Sequence, residues 1–264
     1  MEIKGSVALV TGAGAGIGEA VAKYLSKLGA KVAVVDAMQK NVDRVVKDIK
    51  DAGGEAIGVQ ADVVSEADTA RFIQATVQAF GKLNIAVSSA GIIRDGTMLN
   101  LDKETGKVSK KMGMDKWQPV IDVDLTGTFL TLRDCAEAMV NGGWNGLLVP
   151  ISSVNKIGQV GQLNYSSAKA AVAMMPKIIV GEFLLRGIRN VRCVAVAPGY
   201  TATPMLTGMN QEALKGILKD VHIDRLIAPD EIASLIGHCV ENEALNATTL
   251  EITGGLCYPG GIAK

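Results

Sequence analysis

The chain has 264 residues, 48% of them apolar and 20% charged, with 27 basic residues against 27 acidic ones. That length suits one α/β domain of generous size, and the composition supports a large buried core. Zero formal net charge leaves no electrostatic footprint for nucleic acid or an anionic membrane, and no apolar run reaches the ~20 residues of a membrane span.

Taken in chain order, short β-type runs alternate with helical patterns. Met1-Glu2-Ile3-Lys4 carries no signal-peptide pattern and leads almost directly into the first run. Strands are predicted at 7–11, 31–36, 56–61, 84–88, 147–152, 191–197 and 248–252, and helices near 16–28, 41–52, 66–80, 117–141, 164–186 and 229–241. This alternation predicts a parallel sheet with helices on both faces, without a linker or repeat, and hence one domain over 1–264. Two segments break the rhythm. Residues 94–116 are polar and carry Lys103, Lys107, Lys110 and Lys111; they read as a solvated loop, the alternative being a cationic patch that steers an anionic substrate such as an acyl thioester. Residues 200–225 follow Pro198-Gly199 and hold Met205, Leu206 and Met209, side chains suited equally to a pocket wall and to core packing. Cys135, Cys193, Cys239 and Cys257 show no metal spacing and read as buried thiols of a reducing, cytoplasmic compartment. His222 and His238 have no partner for metal ligation, so no metal site is expected.

The first chemical signal is Thr11-Gly12-Ala13-Gly14-Ala15-Gly16-Ile17-Gly18, between the apolar run Val7–Val10 and a helical stretch with apolar residues at Ala20, Val21, Tyr24, Leu25 and Leu28. A strand, a glycine turn and a helix N-terminus together make a phosphate site, because the glycines admit close backbone approach and the free amides face the anion. The second strand ends in Asp36, 18 residues after Gly18. An acidic residue there accepts hydrogen bonds from a ribose diol and repels a 2′-phosphate. With alanine at 15 and 37 in place of a basic residue, the cofactor is predicted to be NAD rather than NADP.

The second signal is Asn164-Tyr165-Ser166-Ser167-Ala168-Lys169, with Tyr165 and Lys169 one helical turn apart on one face. A free phenol, with a pKa of about 10, is a poor acid or base at neutral pH; a nearby ammonium favours the phenolate. The pair therefore reads as a tuned proton donor and acceptor for an alcohol/ketone couple.

These motifs, with Asp62-Val63 after the third strand and Pro198-Gly199-Tyr200-Thr201-Ala202-Thr203, match in order and spacing over nearly the whole chain. The chain resembles the short-chain dehydrogenase/reductase family. The resemblance implies a single-domain Rossmann fold, a doubly wound seven-stranded parallel sheet. It implies hydride transfer between a secondary alcohol and nicotinamide, with a hydroxyacyl thioester, polyol, cyclic alcohol or steroid as the candidate substrates. It assigns cofactor contacts to Gly12, Gly14, Gly16, Ile17, Gly18, Asp36, Asp62, Val63, Ala90, Gly91, Tyr165, Lys169, Pro198, Gly199, Thr201 and Thr203. It makes 200–225 a substrate lid and 94–116 an insertion of roughly ten residues. It implies a homotetramer, with a dimer as the alternative, built on the helices at 117–141 and 164–186.

A serine is required to hydrogen-bond the substrate oxygen. The usual family spacing from Tyr165 gives Ser152; alignment of the preceding strand gives Ser153, which is favoured because a loop absorbs a deletion more easily than a strand shifts register. Asn155, Gln159 and Gln162 are either substrate-facing or loop polar groups. Four positions depart from the family pattern. Ser88-Ser89-Ala90-Gly91 replaces Asn-Asn-Ala-Gly. Asp124 stands where the family has an asparagine that holds a water in a relay to the active-site lysine; its backbone carbonyl can still hold that water, and its carboxylate favours the ammonium form of Lys169 if the two are close. Pro176 falls inside the Tyr165 helix and is expected to kink it. Thr253-Gly254-Gly255 replaces an acidic residue before the terminal glycines. The departures keep open a second function, a catalytically weak NAD-binding paralogue serving as regulatory or structural subunit of a hetero-oligomer.

Overall fold

Continuous apolar runs build the centre of the molecule, because a strand covered on both faces has no polar alternation. The computed structural model describes residues 1–208 and 211–257; the side chains of Met205, Gln211 and Ala213 lie outside that description. The elements in chain order are β1 (Val7–Thr11), α1 (Gly16–Lys27), β2 (Lys31–Asp36), α2 (Gln39–Asp51), β3 (Ala56–Gln60), α3 (Glu66–Phe80), β4 (Ile85–Ser88), β5 (Leu99–Leu101), β6 (Val108–Lys111) and α4 (Met114–Val120). A π-helical segment, Ile121–Thr126, leads into α5 (Gly127–Asn141). Then follow β7 (Gly146–Pro150), a 3₁₀ turn (Val154–Ile157), α6 (Leu163–Leu185), β8 (Val191–Pro198), α7 (Pro204–Thr207), α8 (Gln211–Leu218), α9 (Pro229–Glu241) and β9 (Thr248–Ile252).

Seven strands form one parallel sheet in the order β3-β2-β1-β4-β7-β8-β9. On one face α1, α2 and α9 supply Val21, Leu25, Val45, Ile232 and Ile236 to the core. On the other, α3, α5 and α6 supply Phe72, Leu132, Met139 and Ile179. Phe72 is fully buried, and its truncation to alanine costs about 3–5 kcal/mol. The strand order reverses between β1 and β4, so the crevice at their carboxyl ends is where a ligand binds in such a sheet.

Several expectations change. Residues 94–116 are not an irregular loop: β5 and β6 pair antiparallel, with a register shift between Asn100 and Leu101. Both strands are exposed along their whole length, and strands of three and four residues are too short for alternation to set them apart from a loop. Asp102 shapes the turn, its Oδ1 accepting from the N–H and O–H of Thr105. The helix predicted from 117 begins at Met114 and passes through the π segment, a widened turn that 3.6-residue periodicity does not reveal. As the reading of one helix over 164–186 has it, α6 runs through the buried Pro176, which lacks the N–H that would otherwise reach Val172.

The 200–225 segment forms α7 and α8. Its far end is pinned to the C-terminal segment, His222 and Ile223 donating their N–H groups to the carbonyls of Gly255 and Gly254. Met209 and the side chain of Met205 lie outside the described residues, and Leu206 is half-buried. Cys135, Cys193 and Cys239 are buried free thiols, and burial pushes Cys239 up to about 11. Cys257 is exposed, against expectation.

Candidate active site

The glycine turn joins β1 to α1 and rests on the end of β4. Gly12 has φ of 63°, and a Cβ there would lie 2.7 Å from the backbone of Ala90. A Cβ on Gly18 would lie 2.3 Å from the Gly12 carbonyl oxygen, so glycine is what lets α1 pack down on the turn. Ala15 gives α1 no side-chain cap, and the first amides of a helix have no intrahelical acceptor. The Asp36 carboxylate faces the turn: Oδ2 accepts the Gly14 N–H at 2.9 Å and Oδ1 accepts the Met38 N–H at 3.0 Å. Arg44, which sequence reasoning passed over, braces the turn from α2, donating to the Gly14 carbonyl at 2.9 Å and to Glu19 at 2.6 Å. That ion pair holds the Glu19 carboxyl below its ordinary range, burial opposing. The cradle therefore fits a dinucleotide: glycines where side chains would collide, open amides, and an acceptor carboxylate at the end of the second strand.

Across the switch point, α6 presents the Tyr–Lys pair. The Lys169 Nζ lies 5.4 Å from the centre of the Tyr165 ring and donates to the Ile151 carbonyl at 3.1 Å. It also pairs with Asp124 Oδ2 at 3.2 Å, and Asp124 Oδ1 accepts the Ile92 N–H at 2.8 Å. Asp124 is fully buried and Lys169 is 4% exposed. Burial raises the Asp124 carboxyl above its ordinary range, against the pull of the Lys169 ammonium and the Ile92 N–H. Burial works against the Lys169 charge as well, but the Asp124 carboxylate and then Tyr165 outweigh it and hold the lysine above its ordinary value. The Asp124 carbonyl accepts from the Thr128 hydroxyl at 2.8 Å, and Thr128 in turn meets Ser88 Oγ at 3.3 Å; this bracing of the β4 end was not foreseen. Gly91 abuts the ion pair, a Cβ there lying 3.1 Å from Asp124 Oδ2.

The two serines occupy different surroundings. Ser152 Oγ is buried and donates to the Lys169 backbone carbonyl at 2.7 Å. Ser153 Oγ accepts the Asn155 N–H at 3.1 Å, which leaves its own O–H to donate elsewhere. Asn155 Nδ2 donates to Gln162 Oε1 at 2.7 Å, while its buried Oδ1 has no hydrogen-bond partner among the described residues. Asn164 is the residue whose importance the sequence hid. Its Nδ2 donates to the carbonyls of Arg94 (3.0 Å) and Lys116 (2.8 Å), the two bases of the hairpin, and its Oδ1 accepts the Tyr165 N–H at 2.8 Å.

The remaining candidates border the crevice. Asp62 is exposed and its Oδ1 accepts the Val64 N–H at 3.1 Å. Val63 packs against Gly127, where a Cβ would lie 2.7 Å from it. Gly199 donates to Ile252 at 2.8 Å, and the buried Thr201 donates to the Gly199 carbonyl at 3.0 Å. Thr203 brings the 200–225 segment onto the glycine turn, its Cγ2 lying 3.2 Å from where a Gly16 Cβ would be. A groove of about 570 Å³ runs between Met98, Ile157, Val160 and Leu163. Its α6 wall is Ser166, Ser167 and Ala170, residues that the helical turn places off the Tyr165–Lys169 face, so it is distinct from the crevice.

A switch-point crevice with a glycine cradle on one side and a helix-borne Tyr–Lys pair on the other is the architecture of a nucleotide-dependent oxidoreductase. The model of the short chain dehydrogenase family matches residues 6–214, and the chain belongs to that family. It is therefore an oxidoreductase of a family that uses a nicotinamide cofactor. It is 36% identical over 255 residues to a 3-oxoacyl-[acyl-carrier-protein] reductase of Synechocystis sp., covering 95% of this chain and 96% of that protein. It is 35% identical over 266 residues to a human (3R)-3-hydroxyacyl-CoA dehydrogenase, covering 96% of each. A crystal structure of a short-chain type dehydrogenase/reductase from Mycobacterium marinum superposes with a TM-score of 0.86 at 26% identity, covering 97% of this chain and 96% of that one. Among the described residues, no helix is long and apolar enough to cross a membrane.

Proposed function

We propose that the chain is an NAD-linked dehydrogenase that interconverts a 3-hydroxyacyl thioester and its 3-oxoacyl counterpart. The observation that carries the reading is the buried Lys169 ammonium beside the Tyr165 ring, at the carboxyl ends of β4 and β7. The preference for NAD rests on the Asp36 carboxylate facing the glycine turn, where it accepts ribose hydroxyls and repels a phosphate. The thioester class rests on the activities for which the relatives are named, among them an acetoacetyl-CoA reductase of Acinetobacter sp. that is 35% identical over 257 residues.

The glycine turn, Asp36, Asp62-Val63, Ala90-Gly91 and the segment Pro198–Thr203 would hold the cofactor, whose nicotinamide accepts or returns the hydride when bound. Tyr165 takes the hydroxyl proton in oxidation and returns it in reduction. Lys169 favours the phenolate electrostatically. Ser153 donates to the substrate oxygen as charge develops on it, while Ser152 holds the backbone of α6 in place. The exposed apolar faces of α5 and α6, with Phe129 and Ile178 open to solvent, suit a homotetramer.

The test is NADH absorbance with purified protein, NAD and a panel of 3-hydroxyacyl thioesters and other secondary alcohols, with Tyr165→Phe in parallel. Turnover lost in the variant supports the assignment. The Asp124–Lys169 contact, in place of the family's asparagine, keeps the weakly active subunit as the second reading; tight NAD binding without turnover across the panel selects it.

A further inference from the structure

We infer that Asp124 is a positioning residue whose carboxylate is the counter-ion that keeps the buried Lys169 charged, so that Tyr165 retains its cation at alkaline pH. The inference rests on the proposed role of Lys169 beside Tyr165. The family asparagine offers a neutral amide at this place; here a carboxylate lies 3.2 Å from the lysine nitrogen, and both groups are buried.

Removing a lone ammonium from water favours its neutral form. The other near neighbour of the Lys169 nitrogen is the neutral Ile151 carbonyl at 3.1 Å, so Asp124 supplies the compensating charge. The carboxylate is itself held in place, because Oδ1 takes the Ile92 N–H at 2.8 Å and the π segment turns residue 124 toward α6. Three charges on the elements packed around the pair are engaged elsewhere. From the π segment, Asp122 accepts from Gln118 at 2.7 Å. From α4, Lys116 donates to the Asp95 carbonyl. From α5, Arg133 pairs with Asp134 and with Glu66. From α6, the other titratable group at the pair is Tyr165.

The test is the titration of Lys169 in protein carrying [¹³Cε]lysine, the resonance assigned with Lys169→Met, in wild type and in Asp124→Asn. The midpoint is expected to fall by about one pH unit or more in the variant. The alkaline limb of kcat/KM, measured with NAD and a 3-hydroxyacyl thioester, is expected to fall with it. Asp124→Ser removes the same charge and replaces the asparagine variant if that one does not fold. Equal midpoints in folded protein overturn the inference, as does a lysine that stays charged in both proteins to the highest pH at which they remain folded. A variant that is merely loosened loses rate at every pH without moving the lysine resonance, which also overturns it. A shifted midpoint in a protein with no turnover upholds the counter-ion while overturning the dehydrogenase reading.

Discussion

The Asp36 carboxylate accepts the backbone N–H of Gly14 at 2.9 Å, which ties the end of the second strand to the glycine turn. The same oxygen atoms face the place where an adenosine ribose is expected. Asp36→Ala should therefore weaken NAD by about tenfold, since a hydrogen bond to a charged group is worth about 1.5–3 kcal/mol and water recovers part of it. It should also relax discrimination against NADP, because the repelling charge is gone. Dissociation constants of both reduced cofactors, measured by fluorescence titration, decide this; an unchanged ratio would place the ribose contact elsewhere.

Tyr165 and Lys169 make separable predictions. Tyr165→Phe keeps the ring near the Lys169 ammonium and deletes only the hydroxyl. Turnover should fall by about 10²–10⁴-fold, the usual span for a positioned proton donor. NAD affinity should stay within a few-fold, because the hydroxyl's main role is toward the substrate. Retained rate in this variant would remove Tyr165 from the reaction.

The adjacent serines predict phenotypes that part in kcat. Ser152→Ala removes a buried hydroxyl and leaves the Lys169 carbonyl without its 2.7 Å donor, so thermal stability should drop by about 1–3 kcal/mol. The Ser153 side chain caps the 3₁₀ turn by accepting the Asn155 N–H. Ser153→Ala should cost about 0.5–2 kcal/mol for the lost cap while kcat falls by about 10²-fold or more, the cost of removing one donor to a developing oxyanion; Ser152→Ala should leave kcat much nearer to wild type. Melting curves and kcat measured on the same preparations separate the two, and a reversal would exchange their roles.

The sheet was legible because β1, β2 and β8 are apolar on both faces and the glycine turn marks where the first strand meets its helix. The place of Asp36 beside the glycine turn was legible because it depends only on its position at a strand end. The hairpin at 99–111 was not, since strands of three and four residues are too short for their alternation to be read. The closeness of Asp124 and Lys169 depends on residues far apart in sequence and on a π segment that shifts the helix register. Pro176 was read as a kink within a helix over 164–186, and α6 runs through it from Leu163 to Leu185.

Asn164 joins the hairpin to the active helix and carries the last prediction. Its side chain is fully buried and closes three hydrogen bonds, to Arg94, Lys116 and Tyr165. Gly96 adds a bond to Gly161 at 2.8 Å, and Gln162 donates to Asp95 at 3.0 Å. Asn164→Ala leaves two carbonyls at the hairpin base without that donor, at about 1–3 kcal/mol for each one that water does not reach. The loss should be local first: hydrogen exchange should quicken at 94–97 and 113–117 before it does in β1 or β4. An equal rise across the sheet would mean that Asn164 supports the whole core, and no rise at the hairpin base would detach the hairpin from α6.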